Sequence, residues 1–289
     1  MIQDIMPLKF DNANQPNTIP TADSRIFCFR NREVLSSENN MHIFPYWKDL
    51  SNPENVTYLF SVGEEKFFLL DSIDEIPKRF SFQDIKKLRR SSILTAADAF
   101  SLFTAFHLNS WYNANRICGS CGGALSQISE ERALKCEICG KLIYPRIDPA
   151  VIVGVINGDS ILVTRYADNR GIGYDALIGG YTEIGETFED TVRREVMEEA
   201  GLKVKNIRYY KSQPWGMSST ILAGFFCDVD GCTNISIDET ELSSAKWIKR
   251  EDIVGQPDDF SLTHEMMMLF KTQDNTAQRV CSVVSNQNS

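Results

Sequence analysis

One stretch of 23 residues, GYTEIGETFEDTVRREVMEEAGL from Gly180 to Leu202, constrains the fold more than any other part of the chain. Thr187 stands at the position of a helix N-cap, and Asp190, three residues later, can serve as the acidic partner of a capping box. Gly201 stands where a helix commonly ends with a residue that adopts a positive φ. The stretch therefore predicts a glycine-rich turn, one helix that buries Val192 and Val196, and a second turn.

Three acidic residues of this helix are predicted to share one face. Glu195, Glu198 and Glu199 follow i, i+3, i+4 spacing, which brings their Cβ atoms to roughly 5–6 Å from one another. Like charges at that spacing destabilise an isolated helix. A solvated acidic face is the ordinary interpretation, and a bound cation is the functional one. Clustered carboxylates suit a hard divalent ion such as Mg²⁺ or Mn²⁺.

The spacing of the whole stretch decides between these interpretations. The motif G-x5-E-x7-R-E-U-x-E-E-x-G-U, in which U is aliphatic, is matched in full by Gly180, Glu186, Arg194-Glu195-Val196, Glu198-Glu199 and Gly201-Leu202. The chain therefore resembles the Nudix hydrolases, which cleave a nucleoside diphosphate linked to another group. The resemblance implies an α/β fold, the Nudix α/β/α sandwich with a mixed sheet.

Residues 1–113 are predicted to form a small β-rich N-terminal domain, which the resemblance implies to be Nudix-like. The runs Val56–Phe60 and Lys66–Leu70 flank Gly63 and predict a β-hairpin. Thr95 is a candidate N-cap for a helix whose aromatic residues we interpret as core. The basic run Lys86–Arg90 is interpreted as a solvated helix face, with an RNA-contacting patch as the alternative.

Residues 114–146 are predicted to form a zinc ribbon. Two CxxC pairs, separated by 14 residues, can place four thiolates around Zn²⁺ in tetrahedral geometry; they are Cys118, Cys121, Cys136 and Cys139. Two disulfides or a redox pair are the alternatives. The first is disfavoured because no secretory signal is visible, and the second because it would not need a second pair. Four cysteines complete the coordination, so this metal is predicted to be structural. The other four cysteines are predicted to be free thiols: Cys28, Cys227, Cys232 and Cys281.

Residues 147–272 are predicted to form the catalytic domain, and 273–289 a polar tail. Strands are expected at 151–156, 161–163, 176–180, 204–211, 220–229 and 245–248, with a tight turn at Asn157-Gly158. A short helix is expected over 262–271. The loop 167–175 is rich in Gly and Asp.

The order of motifs narrows the resemblance to the NAD(H) pyrophosphatases. In that family a zinc ribbon is followed by a segment like Tyr144–Ala150, by the Nudix motif, and by a Gln-Pro-Trp sequence, here Gln213–Trp215. The family continues with Pro-Phe-Pro-x-Ser, whereas this chain has Gly216–Thr220. Because Gly replaces a fixed φ, we expect a more flexible loop.

The resemblance implies a role for each matching residue. Glu195, Glu199, Glu241 and the Gly179 carbonyl would bind the catalytic Mg²⁺ or Mn²⁺, and Glu198 would be a further ligand or the general base. Glu186 and Arg194 would pair and brace the loop. Water would attack one phosphorus of the pyrophosphate with metal assistance. The substrate-binding set implied by the resemblance is Glu131, Tyr144, Tyr181, Gln213, Pro214, Trp215, Ser219, Thr220 and Thr263.

Composition sets further expectations. The net charge of −9 argues against a broad nucleic-acid-binding surface, so removal of NAD caps from RNA is expected only as a side activity. Neither an apolar run long enough to span a membrane nor a secretory signal is found, so we expect a cytoplasmic protein. The resemblance also implies a homodimer.

Two alternative functions remain open. One is a Nudix pyrophosphatase for another dinucleotide, such as ADP-ribose or a dinucleoside polyphosphate, and only the altered loop supports it. The other is a non-catalytic protein that senses a nucleotide, and it is disfavoured because the Nudix motif is complete.

Overall fold

The computed structural model describes residues 1–37, 42–51, 55–167 and 173–272. The chain divides into two compact units. The N-terminal unit comprises Ile2–Ile147 together with Trp215–Ser219, and the C-terminal unit comprises Met1, Asp148–Pro214 and the chain from Thr220 onward. Cys281 and the predicted tail lie outside the described residues, as does part of the loop 167–175.

The N-terminal unit contains a six-stranded sheet and two helices. The strand order is β1-β4-β5-β2-β3-β6. These elements are β1 (Phe10–Asp11), β2 (Arg25–Arg30), β3 (Glu33–Ser36), β4 (Val56–Val62), β5 (Glu65–Leu70), β6 (Ser81–Asp84), α1 (Ile85–Arg90) and α2 (Ala96–Ala114).

The hairpin, the helix N-cap and the buried aromatic residues that were predicted for this unit are confirmed. Strands β4 and β5 form an antiparallel hairpin around Gly63, whose φ is +59°. Thr95 caps α2 through a capping box with Asp98. The aromatic residues of α2 are buried in the core, with Phe103 1% exposed.

The predicted ribbon region has a three-stranded antiparallel sheet of its own. Its strands are β7 (Leu125–Gln127), β8 (Leu134–Cys136) and β9 (Leu142–Ile143).

The C-terminal unit is built on one mixed sheet. Its central strand is parallel to one neighbour and antiparallel to the others, and the order is β13-β14-β10-β11-β15, with β12 also paired to β10. Its elements are β10 (Asp148–Asn157), β11 (Ser160–Tyr166), β12 (Ile178–Tyr181), α3 (Phe188–Ala200), β13 (Val204–Trp215), β14 (Thr220–Val229), β15 (Leu242–Lys249) and α4 (Leu262–Lys271).

Alternate residues of each strand point to opposite sides of this sheet. Both sides are apolar, and a helix packs against each of them. On β10, Val151, Val153 and Val155 belong to the core that includes Val192 and Val196 of α3. Ile152 of the same strand packs against the core under α4. The predicted α/β/α sandwich with a mixed sheet is therefore confirmed.

Strand β14 has its predicted bounds, and β10, β11, β12 and β15 differ from theirs by one to three residues at each end. The largest shift at one end is in β13. β13 continues past Lys211 to Trp215 and includes Pro214. This is physically reasonable because β13 lies at the edge of the sheet, where a proline need not break a ladder of hydrogen bonds. In the described part of the chain, every helix is too short or too polar to cross a membrane.

Candidate active site and metal centres

Gly180 provides the space for the carboxylate of Glu195. A Cβ atom at position 180 would lie 1.9 Å from Glu195 Oε1 and 2.0 Å from its Cδ. Gly180 pairs with Val151 within the sheet, and α3 is anchored by Val192 and Val196, both 0% exposed. The first glycine of the motif therefore leaves a pocket for a side chain 15 residues later.

Helix α3 begins and ends as predicted. Asp190 donates its backbone N–H to Thr187 Oγ1 at 3.2 Å, and Thr187 donates its own N–H to Asp190 Oδ2 at 3.3 Å. Gly201 has φ +68° and donates its N–H to the Met197 carbonyl at 3.0 Å. These caps set the two ends of the helix, and the buried Val192 and Val196 set the face that turns toward the sheet.

Arg194 binds three carboxylates at once. Its Nε and Nη2 donate to Glu186 at 2.6 and 2.9 Å, and its Nη1 donates to Glu195 Oε1 at 2.7 Å and to Glu198 Oε2 at 3.0 Å. Nη2 also donates to the Tyr181 carbonyl at 2.9 Å. The guanidinium thus ties the glycine-rich loop to the helix, in the arrangement that the predicted bracing pair requires.

The electrostatics of two glutamates differ. Arg194, aided by the Glu183 N–H, lowers the pKa of Glu186 to about 2. Burial raises the pKa of Glu195 above its ordinary value, and Arg194 opposes this shift. The charges of Glu198 and Glu241 raise it further. Burial and the neighbouring acids therefore outweigh Arg194 in setting the direction of the shift at Glu195.

The other predicted metal ligands differ in exposure and in the elements that carry them. Glu199 is 3% exposed, whereas the Glu198 side chain is 58% exposed. Gly179 lies in β12, and Glu241 directly precedes β15, with its carbonyl accepting the Ala167 N–H at 2.9 Å. Carboxylate and carbonyl oxygens are the donors that Mg²⁺ and Mn²⁺ prefer, so the chemistry of this set fits such an ion.

The predicted ribbon cysteines form a compact sulfur cluster. Cys118 Sγ lies 3.8 Å from Cys139 Sγ, and Cys121 Sγ lies 3.4 Å from Cys136 Sγ. Tetrahedral Zn–S bonds of about 2.3 Å place the sulfurs about 3.8 Å apart. Backbone N–H groups of Ser120 and Cys121 lower the pKa of Cys118 to about 6, which favours the thiolate that binds metal. The cluster could therefore hold zinc.

The remaining cysteines within the described residues are free thiols, as predicted: Cys28, Cys227 and Cys232. Burial raises the pKa of Cys28 to about 11 and that of Cys227 to about 12. Both are therefore inert core residues.

Two predicted base-binding tyrosines expose about half of their surface. In the N-terminal unit, Tyr144 is 53% exposed and its hydroxyl donates to Glu131 Oε1 at 2.9 Å. This hydrogen bond raises the pKa of Tyr144. In the C-terminal unit, Tyr181 is 52% exposed and its hydroxyl lies 3.4 Å from Thr220 Oγ1. Each ring thus retains a surface on which a base could stack.

Gln213 is fully buried and anchors the start of α4. Its Nε2 donates to the Phe260 carbonyl and its Oε1 accepts the Leu262 N–H, both at 2.7 Å. Thr263 is the second residue of α4. Gln213 therefore stabilises the turn that directly precedes Thr263. Pro214 is exposed. Trp215 and Ser219 belong to the N-terminal unit, and Ser219 has φ +58°.

Several positioning residues were missed by sequence reasoning. Thr191 Oγ1 donates to Glu186 Oε2 at 3.0 Å and is a second anchor for the loop. The sequence feature that could have indicated this role is the position of Thr191, one helical turn after the N-cap Thr187. Arg89 and Phe103 contact the Trp215 ring, and no local pattern could have revealed these long-range contacts.

Comparison with known proteins places these residues in a family. Residues 146–269 match the NUDIX domain family. The chain is 38% identical over 171 residues to the NAD-capped RNA hydrolase NudC of Enterobacter sp. (strain 638), a match that covers 59% of this chain and 66% of the relative. It is 42% identical over 146 residues to the protein of the same name from Actinobacillus succinogenes. That match covers 48% of this chain and 55% of the relative.

The matched part of the chain thus spans between about half and two thirds of the length of these relatives. Among solved structures, a NUDIX hydrolase from Nitrosomonas europaea is similar, with 19% identity and a TM-score of 0.48. The alignment covers 55% of this chain and 92% of the chain in that structure.

Proposed function

Because this chain belongs to the Nudix family, we propose that it hydrolyses the pyrophosphate of NAD(H) to NMN(H) and AMP in a reaction that depends on divalent metal. The observation that carries the proposal is the position of Glu195, a buried carboxylate seated against Gly180 and flanked by Glu198 and Glu199. Nudix enzymes use divalent metals. The choice of Mg²⁺ or Mn²⁺ here is part of the proposal.

Glu195, Glu199, Glu241 and the Gly179 carbonyl would hold the ion. When bound, such an ion neutralises charge on the pyrophosphate and lowers the pKa of water. Arg194 orients Glu195 and Glu198, and it remains anchored through Glu186. Glu198 has the most accessible carboxylate of the three helix acids, which suits a ligand or a base that accepts a proton from the attacking water.

The substrate-binding residues of this proposal are those that the family resemblance implies. We assign the adenine to the exposed rings of Tyr144 and Tyr181 and to Glu131. The nicotinamide side is assigned to Gln213, Pro214, Trp215, Ser219, Thr220 and Thr263. We further propose a homodimer, which light scattering coupled to size-exclusion chromatography would test.

The test is a substrate panel with product identification. Purified protein with Mg²⁺ or Mn²⁺ is expected to convert NADH and NAD⁺ to AMP and the corresponding mononucleotide. Glu199→Gln should lower kcat by more than about 100-fold, because losing a direct metal ligand should exceed the 10–100-fold typical of outer-shell partners. Glu189→Gln, an exposed residue of the same helix, is the matched control and should leave kcat unchanged.

Different outcomes lead to different conclusions. Faster cleavage of ADP-ribose or of a dinucleoside polyphosphate than of NADH would assign the enzyme to that substrate. Failure to cleave any dinucleotide with either metal would refute the enzymatic proposal and favour a nucleotide-sensing protein.

A second candidate activity is removal of NAD caps from RNA, which the names of the curated relatives favour. Hydrolysis of the same pyrophosphate in a 5′-NAD-capped RNA would release NMN and leave a 5′-monophosphate. Capped RNA incubated at physiological salt, with the 5′ end identified by mass spectrometry, tests this activity. Retention of the cap under conditions in which free NADH is cleaved would exclude it.

A further inference from the structure

The basic run Lys86–Arg90 does not form a uniform solvated face. Lys86, Lys87 and Arg90 are exposed, whereas Leu88 is buried and Arg89 is only partly exposed. Arg89 turns inward, where its guanidinium carbon lies 4.8 Å from the centroid of the Trp215 ring. One cation of the run therefore contacts the segment Trp215–Ser219, which belongs to the same unit as α1 and α2.

Trp215 is held from a second direction by α2. The Phe103 ring meets the indole edge-on, with centroids 5.4 Å apart and planes at 79°. Phe103 is 1% exposed, so it is fixed in the core. A cation and an aromatic edge on one indole are both favourable contacts. Together they fix the orientation of Trp215.

The next residue is fitted to the backbone of α2. A Cβ atom on Gly216 would lie 1.9 Å from the Phe103 carbonyl oxygen and 3.3 Å from the Cβ of His107. Any side chain there would displace the segment from the helix. The proline that the NAD(H) pyrophosphatases have at this position would not fit in this conformation, because its ring also begins with a Cβ atom. The expected loosening of the loop is thus opposed by direct packing.

The segment then turns back toward β14. Ser218 donates its N–H to the Trp215 carbonyl at 3.3 Å, and Ser219 donates its N–H to the Gly216 carbonyl at 3.5 Å. Because these turns start at Trp215 and Gly216, the contacts of those two residues determine where Ser218 and Ser219 lie.

We propose that Arg89 and Phe103 are positioning residues that hold Trp215–Ser219 in place and thereby set selectivity for the nicotinamide half of the substrate. This inference rests on the proposed function, which assigns that segment to the nicotinamide side.

The test compares Arg89→Met with Lys86→Met, an exposed position on the same helix. NADH and ADP-ribose share the ADP moiety, and only NADH has nicotinamide. Arg89→Met is expected to raise KM for NADH about five- to tenfold, with kcat and the parameters for ADP-ribose changed less than about twofold. Arg89→Lys should restore part of the loss, because it retains the cation, and Lys86→Met should behave as wild type.

A second measurement does not depend on activity. Hydrogen–deuterium exchange of peptides covering residues 212–222 should be faster in Arg89→Met and in Gly216→Ala than in wild type, and unchanged in Lys86→Met. Unchanged exchange, or an equal loss for NADH and ADP-ribose in folded Arg89→Met, would overturn the positioning role. A wild-type protein that cleaves no dinucleotide, yet shows the expected exchange, would instead refute the proposed function.

Discussion

The sulfur cluster of the ribbon and the acidic face of α3 are both predicted metal sites, but they are organised differently. In the described part of the chain, the four cysteines alone bring three or more ligand atoms within 4.8 Å of one another. The helix acids are spread instead: Glu195 is seated against Gly180, and Glu198 is paired with Arg194.

The two sites are held together by different kinds of contact. Each CxxC pair is fixed by its own turn, as shown by the hydrogen bonds from the Gly122 N–H to the Cys118 carbonyl and from the Gly140 N–H to the Cys136 carbonyl. Ionised carboxylates repel, so the acidic face is held by packing against β12 and by a resident guanidinium. The cysteine site is thus set by local backbone, and the acidic site by tertiary contacts.

The largest effect is expected from breaking the sulfur cluster. Cys136→Ser removes a buried ligand and should abolish stoichiometric zinc binding. The free energy of unfolding of the N-terminal unit should fall by several kcal/mol, since structural zinc contributes about 10 kcal/mol or more to the folding of zinc-finger peptides. Metal content by mass spectrometry and the thermal midpoint would measure this.

Cys232→Ser, an exposed thiol in the C-terminal unit, is the control and should keep both zinc and stability. One zinc ion per chain retained by Cys136→Ser would show that the ribbon does not need four thiolates.

A smaller effect should follow from Gly180→Ala. The new methyl group would displace the end of the Glu195 side chain, which can rotate away at little cost in stability. We expect kcat/KM for NADH to fall by up to about 100-fold, while Tm falls by about 4 °C or less. Steady-state kinetics and calorimetry would separate the two effects.

Gly173→Ala is the matched control, because a Cβ atom there meets nothing within 4 Å. Full activity in Gly180→Ala would mean that the position of the Glu195 carboxylate is unimportant for catalysis.

The smallest effect concerns pH. The pKa of Glu186 is lowered in the folded state from its ordinary 4.5 to about 2, so its ion pair with Arg194 stabilises the fold above pH 4.5. That contribution is lost as the pH falls from 4.5 toward 2. Glu186→Gln should therefore lower Tm at neutral pH, and the difference from wild type should shrink over this range.

Calorimetry at a series of pH values would test this, with Glu189→Gln as a control that keeps the wild-type profile. A Tm difference that does not change with pH would show that Glu186 acts through shape and not through charge.

Much of the fold was predictable because it depends on short-range patterns. The capping residues Thr95, Thr187 and Gly201 determine helix ends through contacts within a few residues, and the alternation of β10 determines its two buried faces. The motif spacing likewise placed Glu195, Glu198 and Glu199 on one helix. Sequence reasoning was less accurate for β13, because the pairing of an edge strand depends on its neighbour.

The elements, the ribbon cysteines and the acids of α3 could be predicted because each depends on spacing along one segment. Three arrangements became visible only in the folded chain: Glu195 lies against Gly180, Arg194 binds three carboxylates, and Arg89 and Phe103 contact Trp215. These contacts join residues from 1 to more than 100 positions apart. Most of them depend on the packing of whole elements, which a local pattern does not encode.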